Sequence, residues 1–180
     1  MKNKEKILLL LLSLLSFVSC KHNNQNVKVT TPECVIRFNM PQPYFVKVDI
    51  LLKRWPHLIN YIYKSKLDSN IRLEVSYSPD LNHKFKKGDL EKNLKMELGF
   101  HGWLVNSRSN GGMVYINGKK FGRTYYILND SNFREDDVFI IFNNKWINFS
   151  FINSNYFSPD STLLEKKMDS IFNSITIEKP

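Results

Sequence analysis

The chain has 180 residues, a formal net charge of +9, and hydrophobic and aromatic fractions of 42% and 13%. That apolar content, with only seven glycines, excludes a disordered or collagen-like chain and suits one packed domain. Two cysteines exclude a disulfide framework, and the basic balance points to anionic partners.

The chain opens with Lys2, Lys4 and Lys6, followed by Ile7 to Cys20, ILLLLLSLLSFVSC. A positive start, an apolar run of about 7–15 residues and small residues before a cleavage point make a secretory signal. A membrane span needs more, about 20 apolar residues. Cys20 directly after Ser19 resembles the lipobox of bacterial lipoproteins, with Phe17 standing where Leu is usual. The resemblance implies a signal peptide over residues 1–19 and a diacylglycerol, with palmitate-type chains, on Cys20 as the mature N-terminus. Residues 1–20 carry a net +2, which leaves +7 on the remainder. Lipidation uses the Cys20 sulfur and leaves Cys34, in Cys34-Val35-Ile36-Arg37-Phe38, as a small buried hydrophobe. Export demotes nucleic acid as a partner in favour of lipid headgroups, acidic polysaccharide or an acidic protein face.

Lys21 to Pro32 is polar and has no hydrophobic period. Residues 20–32 are therefore expected to be a flexible tether ahead of a single domain over residues 33–180. Cys34 to Phe38 and Tyr44 to Ile50 read as short strands, separated by Met40-Pro41-Gln42-Pro43, whose prolines mark a turn. Leu51 to Lys66 is mixed: Leu58, Ile59, Ile62 and Tyr63 recur at helical spacing, while Tyr61 and Tyr63 fit a strand. Ile71 to Tyr77 alternates Ile, Leu, Val and Tyr with Arg, Glu and Ser, giving one core face and one wetter face. Leu81 to Gly88, with Lys84, Lys86 and Lys87, reads as a basic loop.

Asp89 caps a helix through Leu90, Leu94 and Leu98 that stops at Gly99 or Gly102. Asn110-Gly111-Gly112 reads as a loop and Met113 to Ile116 as a strand. Asn117-Gly118 predicts a hairpin turn, with Phe121 to Leu128 as the returning strand. Asn129 to Asp137 reads as a polar connection and Val138 to Phe142 as a central strand. Asn143-Asn144 turns the chain into a strand from Trp146 to Ile152. Ser158 and Pro159 open a last helix with an apolar stripe of Leu164, Met168, Ile171, Phe172 and Ile175. Ile175 to Ile177 closes the fold as a short edge strand.

This order of elements resembles the PsbP-like fold, shared by photosystem accessory proteins and bacterial envelope lipoproteins. The segment LEKKMDSIFNSITI, Leu164 to Ile177, is similar to that family's closing helix, with Ser174-Ile175 as its Ser-Ile pair. The resemblance implies an α+β domain, an antiparallel β-sheet sandwiched by helices, and a non-enzymatic binding or assembly role. Arg72 to Pro79 also resembles a strand of gliding-motility lipoprotein D, although that family's Trp and His positions do not line up.

No catalytic constellation stands out. His22, His57, His83 and His101 are scattered, so neither a metal site nor a cofactor is expected. Asp136-Asp137 are neighbours that point apart on an extended chain and read as solvated surface. Lys84, Lys86 and Lys87, with Lys92 and Lys95, and Lys119, Lys120 and Arg123 at the Asn-Gly turn, are the candidate patch for an anionic partner. Trp55, Trp103, Tyr125, Tyr126 and Trp146 are candidates for a ligand groove. Asp160-Ser161-Thr162 and Asp169-Ser170-Ile171 match a short O-glycosylation sequon. The expected function is a non-catalytic envelope lipoprotein, anchored through Cys20 to a membrane, the outer one before the inner. It acts as an interaction or assembly module for an envelope protein or anionic surface. The alternatives are a small-ligand or lipid carrier with an apolar cavity between sheet and helix, and a small envelope hydrolase.

Overall fold

Alternation of apolar and polar residues builds most of the described residues into antiparallel strands. The computed structural model describes residues 24–41, 45–48, 59–78, 89–102, 107–128, 133–155 and 159–180. These form β1 (Asn24–Thr30), β2 (Val35–Pro41), β3 (Phe45–Val48), β4 (Ile59–Ser65) and β5 (Ile71–Ser78). Then come α1 (Leu90–Gly102), β6 (Ser107–Ile116), β7 (Lys119–Leu128), β8 (Phe133–Phe142) and β9 (Lys145–Asn153). The chain closes with α2 (Pro159–Asn173) and β10 (Thr176–Glu178). The large sheet has the order β3-β4-β5-β9-β8-β7-β6, and the small one β1-β2-β10. The fold is α+β, with more strand than helix.

Two sequence expectations change at the start. The tether expected over residues 20–32 is a strand from Asn24 to Thr30, paired along its length with β2. Val27 and Val29 point into the core while Asn26, Lys28 and Thr30 face out. Two inward valines and a complete ladder suffice for an edge strand. Pro41, expected in the turn, is instead the last residue of β2, while Gln42 and Pro43 lie outside the described residues. Pro41 ends β2 opposite Asn24, whereas β3 pairs with β4, so the chain crosses from the small sheet to the large one. The mixed segment from Leu51 resolves as strand over Ile59–Ser65, and residues 51–58 lie outside the described residues.

One face of the large sheet carries Leu73, Val75, Val138, Ile147 and Phe149. Against it pack Val29, Ile36 and Phe38 of the small sheet, and Met168, Ile171 and Phe172 of α2. Phe38 meets Tyr63 and Phe149 edge-on, each at 5.8 Å between ring centroids. On the opposite face α1 sets Leu94 against Phe139 and Trp146, flanked by Met113 and Ile141. The expected sheet sandwiched by helices is therefore altered on one side. There, α2 shares the cover with a second sheet.

The turns and caps follow residue chemistry. The Asp89 carboxylate accepts the Lys92 backbone N–H at 2.9 Å, and α1 runs through Gly99 to Gly102. Asn117 and Gly118 hold φ of 46° and 76°, the conformation of a tight hairpin turn. Asn117 Nδ2 then donates to the carbonyls of Ile175, at 2.8 Å, and Asn173, at 3.2 Å. Asn143 and Asn144 turn the β8–β9 hairpin with φ of 50° and 59°. Ser174 Oγ accepts the Asn39 N–H at 2.8 Å and donates to the Ile171 carbonyl at 2.6 Å, tying the end of α2 to β2.

Asn110-Gly111-Gly112 is not a loop but the middle of β6. A Cβ on Gly111 would stand 2.5 Å from the Arg123 carbonyl oxygen, so glycine is what lets β6 and β7 approach here. Asn129 to Asp137 is only partly a connection, because β8 begins at Phe133 and carries Asp136 and Asp137 into the sheet.

Candidate functional site

Strand register assembles a polar row beneath and beside α1. Thr124 of β7 lies opposite Asp137 of β8, Asp137 opposite Ser150 of β9, and Ser150 opposite Glu74 of β5. The neighbouring rung sets Tyr126 against Glu135 and Ile152 against Arg72. Ser150 Oγ donates to Asp137 Oδ1 at 2.5 Å, Asn148 Nδ2 donates to the same oxygen at 3.3 Å, and Tyr126 Oη donates to Glu135 at 2.6 Å. Arg72 binds Glu74 at 2.6 Å at the end of the row.

Burial sets the electrostatics. Desolvation holds Asp137 well above the usual carboxylate range, and the Glu135 charge adds to it while Ser150 and Asn148 oppose it. Glu135 is raised by burial and by Glu74, with the Tyr126 hydrogen bond pulling the other way. Burial also raises Asp136, on the opposite face of β8, despite Arg134 at 2.8 Å. Thr124 Oγ1 and Asn148 Oδ1 are buried without a hydrogen-bond partner. The expectation of a solvated Asp136-Asp137 pair is thus overturned: the residues do point apart, but both are buried. Burial thus favours the protonated forms of Glu135 and Asp137 on this face of the sheet. Glu135 and Asp137 are engaged by side chains of neighbouring strands, and Glu74 by Arg72 of its own strand.

A second feature opens at the free edge of the sandwich. Edge strand β1 and the β3–β4 pair enclose a cleft of about 240 Å³. Val27, Met40 and Phe45 are buried in its wall, Lys47 is exposed at its rim with Nζ 5.9 Å from the centroid of the Tyr61 ring, and Lys28 borders it from the outward phase of β1. No acidic side chain among the described residues lines it.

The residues singled out from sequence fall elsewhere. Lys84, Lys86 and Lys87 lie outside the described residues, as does Cys20. Lys120 reaches toward α1 and binds Glu91 at 2.7 Å, while Arg123 faces α2, binding Asp169 at 2.8 Å and covering the Phe172 ring. Lys119 shares the Arg123 phase of β7 and sits over Phe142. Alternation along the strand therefore splits Lys119 and Arg123 from Lys120. Tyr125 and Tyr126 are divided in the same way, Trp146 is buried on Phe139 at 4.5 Å, and Trp55 and Trp103 lie outside the described residues. His22, His57 and His83 also lie outside them, and His101 is near the end of α1. Cys34 is a buried free thiol whose pKa burial pushes up, bonded to Thr31 Oγ1 at 3.2 Å. Asp169-Ser170-Ile171 lies within α2, with Asp169 engaged by Arg123 and Ile171 buried. Asp160-Ser161-Thr162 occupies the first turn of that helix.

Sequence reading missed both the polar row and the cleft. The row had a signal: Arg72, Glu74 and Ser76, Glu135 and Asp137, and Asn148 and Ser150 are the polar phase of strands whose other phase is core. Among the described residues no three His, Cys, Asp or Glu side chains are grouped to hold a metal ion, and no helix is long and apolar enough to cross a membrane.

No family model matches the chain, and no curated protein matches it. Among solved structures, the solution structure of cyanobacterial PsbP from Synechocystis sp. PCC 6803 is similar, at 12% identity and a TM-score of 0.59. The match covers 87% of this chain and 94% of that one, and it makes the fold of this chain PsbP-like.

Proposed function

We propose that the protein is a lipid-anchored accessory module of a bacterial envelope, binding or assembling other components rather than transforming a substrate. The carrying observation is the distance between anchor and fold. Cys20 ends the signal-like stretch and β1 starts at Asn24, so only Lys21, His22 and Asn23 separate them. Four residue steps span at most about 14 Å, so a lipid on Cys20 holds the start of β1 against the bilayer. A single acyl chain binds membranes marginally, and the several chains of a lipoprotein give lasting attachment. The PsbP-like fold supports the accessory role by analogy of fold alone. The partner in this reading is an envelope protein or an anionic surface, and the outer membrane is the favoured site.

Replacing Cys20 by Ala is expected to release the protein from the membrane fraction or to trap it at precursor size. A Cys20→Ala protein found at mature size and still in the membrane would contradict the anchor. The cleft favours a second reading, a carrier of a small amphiphile. Its cavity lies between the two sheets instead of between sheet and helix. Native mass spectrometry of the extracted protein, showing a retained small molecule, would favour that reading.

A further inference from the structure

We infer that the cleft between β1 and the β3–β4 pair binds a small uncharged molecule built of one ring and a carbonyl group, whose oxygen accepts from Tyr63. The inference rests on the carrier reading and names the class of molecule carried. Two tyrosines of β4, Tyr61 and Tyr63, line the cleft, and among the described residues neither hydroxyl has a hydrogen-bond partner. Tyr63 is only 5% exposed. A phenol buried to that extent normally finds a partner, because an unmade hydrogen bond in an apolar setting is costly. Burial, with the neighbouring Tyr61, pushes the Tyr63 hydroxyl up to about 12, so it keeps its proton and is available as a donor. A carbonyl oxygen, with two lone pairs, can accept from one phenol or from both.

The walls select the rest of the molecule. Val27, Val29, Met40 and Phe45 surround the tyrosines with apolar and aromatic surface, against which a ring packs edge-on or offset. Phe38 meets the Tyr63 ring edge-on at 5.8 Å, so the phenol is held in place before anything binds. No acidic side chain lines the cleft among the described residues, and Lys47 already has interactions of its own. An ion in the cleft would therefore be desolvated without a free counter-charge. The ligand is neutral. Size limits it further: an engineered cavity of about 150 Å³ holds benzene, so about 240 Å³ takes one ring with a short substituent.

The probe is acetophenone, one ring bearing one carbonyl, added to the full chain in nanodiscs with its methionine methyls labelled for NMR. Entry of the ring should shift the methyl resonance of Met40, in the cleft wall, and leave that of Met96, exposed on α1, in place. Benzoate, the same ring carrying a charge, should leave both unmoved. Tyr63→Phe removes one oxygen and should weaken acetophenone about tenfold, the worth of one buried hydrogen bond, while isopropylbenzene, which has no acceptor, binds as to wild type. A Met40 resonance that ignores acetophenone, or that moves as far with benzoate, would overturn the proposal. Wild-type affinity for acetophenone in a Tyr63→Phe protein that melts normally would overturn it too. Failure of the carrier reading looks different. If acetophenone does not bind while native mass spectrometry still finds a retained small molecule, the carrier stands and this ligand class falls; if neither is seen, both fall.

Discussion

Phe38→Ala is expected to destabilise the fold by about 3–5 kcal/mol, the usual cost of emptying a large aromatic site in a core. Phe38 is 1% exposed and is the small sheet's ring against the large sheet, edge-on to Tyr63 on one side and Phe149 on the other. Each such pair adds about 0.5–1.5 kcal/mol beyond buried area, so losing both sets the cost toward the upper end. For a chain of this size, each kcal/mol lowers the melting temperature by about 2–4 °C. The loss should also be uneven. Amide exchange should quicken in β1, β2 and β10, which depend on the inter-sheet contact, before it does in β5, β8 and β9 at the centre of the large sheet. Calorimetry and hydrogen exchange check both parts. A loss under 1 kcal/mol, or exchange that rises equally in both sheets, would mean that Phe38 does not join them.

The second large effect is on pH dependence. Glu135, Asp136 and Asp137 are all held above their ordinary values, in each case chiefly by desolvation. Each binds its proton more tightly folded than unfolded. Their contribution to stability is therefore fully present below the unfolded carboxylate range near pH 4, and it is lost as pH rises through the raised folded values. Every pKa unit of elevation is about 1.4 kcal/mol of stability present in acid and absent at high pH. Asp137→Asn removes the most elevated group and keeps an acceptor oxygen for Ser150. Its melting temperature should exceed wild type at pH 8, match it near pH 4, and vary less between them. A variant less stable than wild type at pH 8, with the slope unchanged, would show that Asp137 is ionised at little cost.

Much of the sheet could be read from sequence where one phase is apolar and the other polar. Ile71 to Tyr77 and Trp146 to Ile152 are strands for that reason, and Asn117-Gly118 and Asn143-Asn144 turn because Asn and Gly accept positive φ. The helices were legible from the Asp89 cap and from Pro159 at the first helical position. The misses have physical causes. β1 offers only Val27 and Val29 as inward residues, and its stability comes from pairing with β2, which composition does not reveal. Gly111 resembled loop chemistry because a close backbone approach and a turn both call for glycine. The prolines near Pro41 marked a departure from one ladder, but not that the chain would enter a different sheet.

The candidate sites were less legible than the fold, because each is a product of register. Thr124, Asp137, Ser150 and Glu74 come from four strands, and no local pattern links them. The cleft likewise draws on strands of both sheets, β1, β2, β3 and β4, and no local pattern marks it. The surface lysines at 119 and 120 show the converse. Adjacent in sequence, they are placed on opposite phases of a strand.

The central claim is that the domain is held at a bilayer by lipid on Cys20, and the mass of the N-terminal peptide of protein extracted from envelopes tests it directly. The account predicts a peptide that begins at Cys20 and carries diacylglycerol and acyl chains. A peptide beginning at any other residue, or an unmodified Cys20, would contradict it.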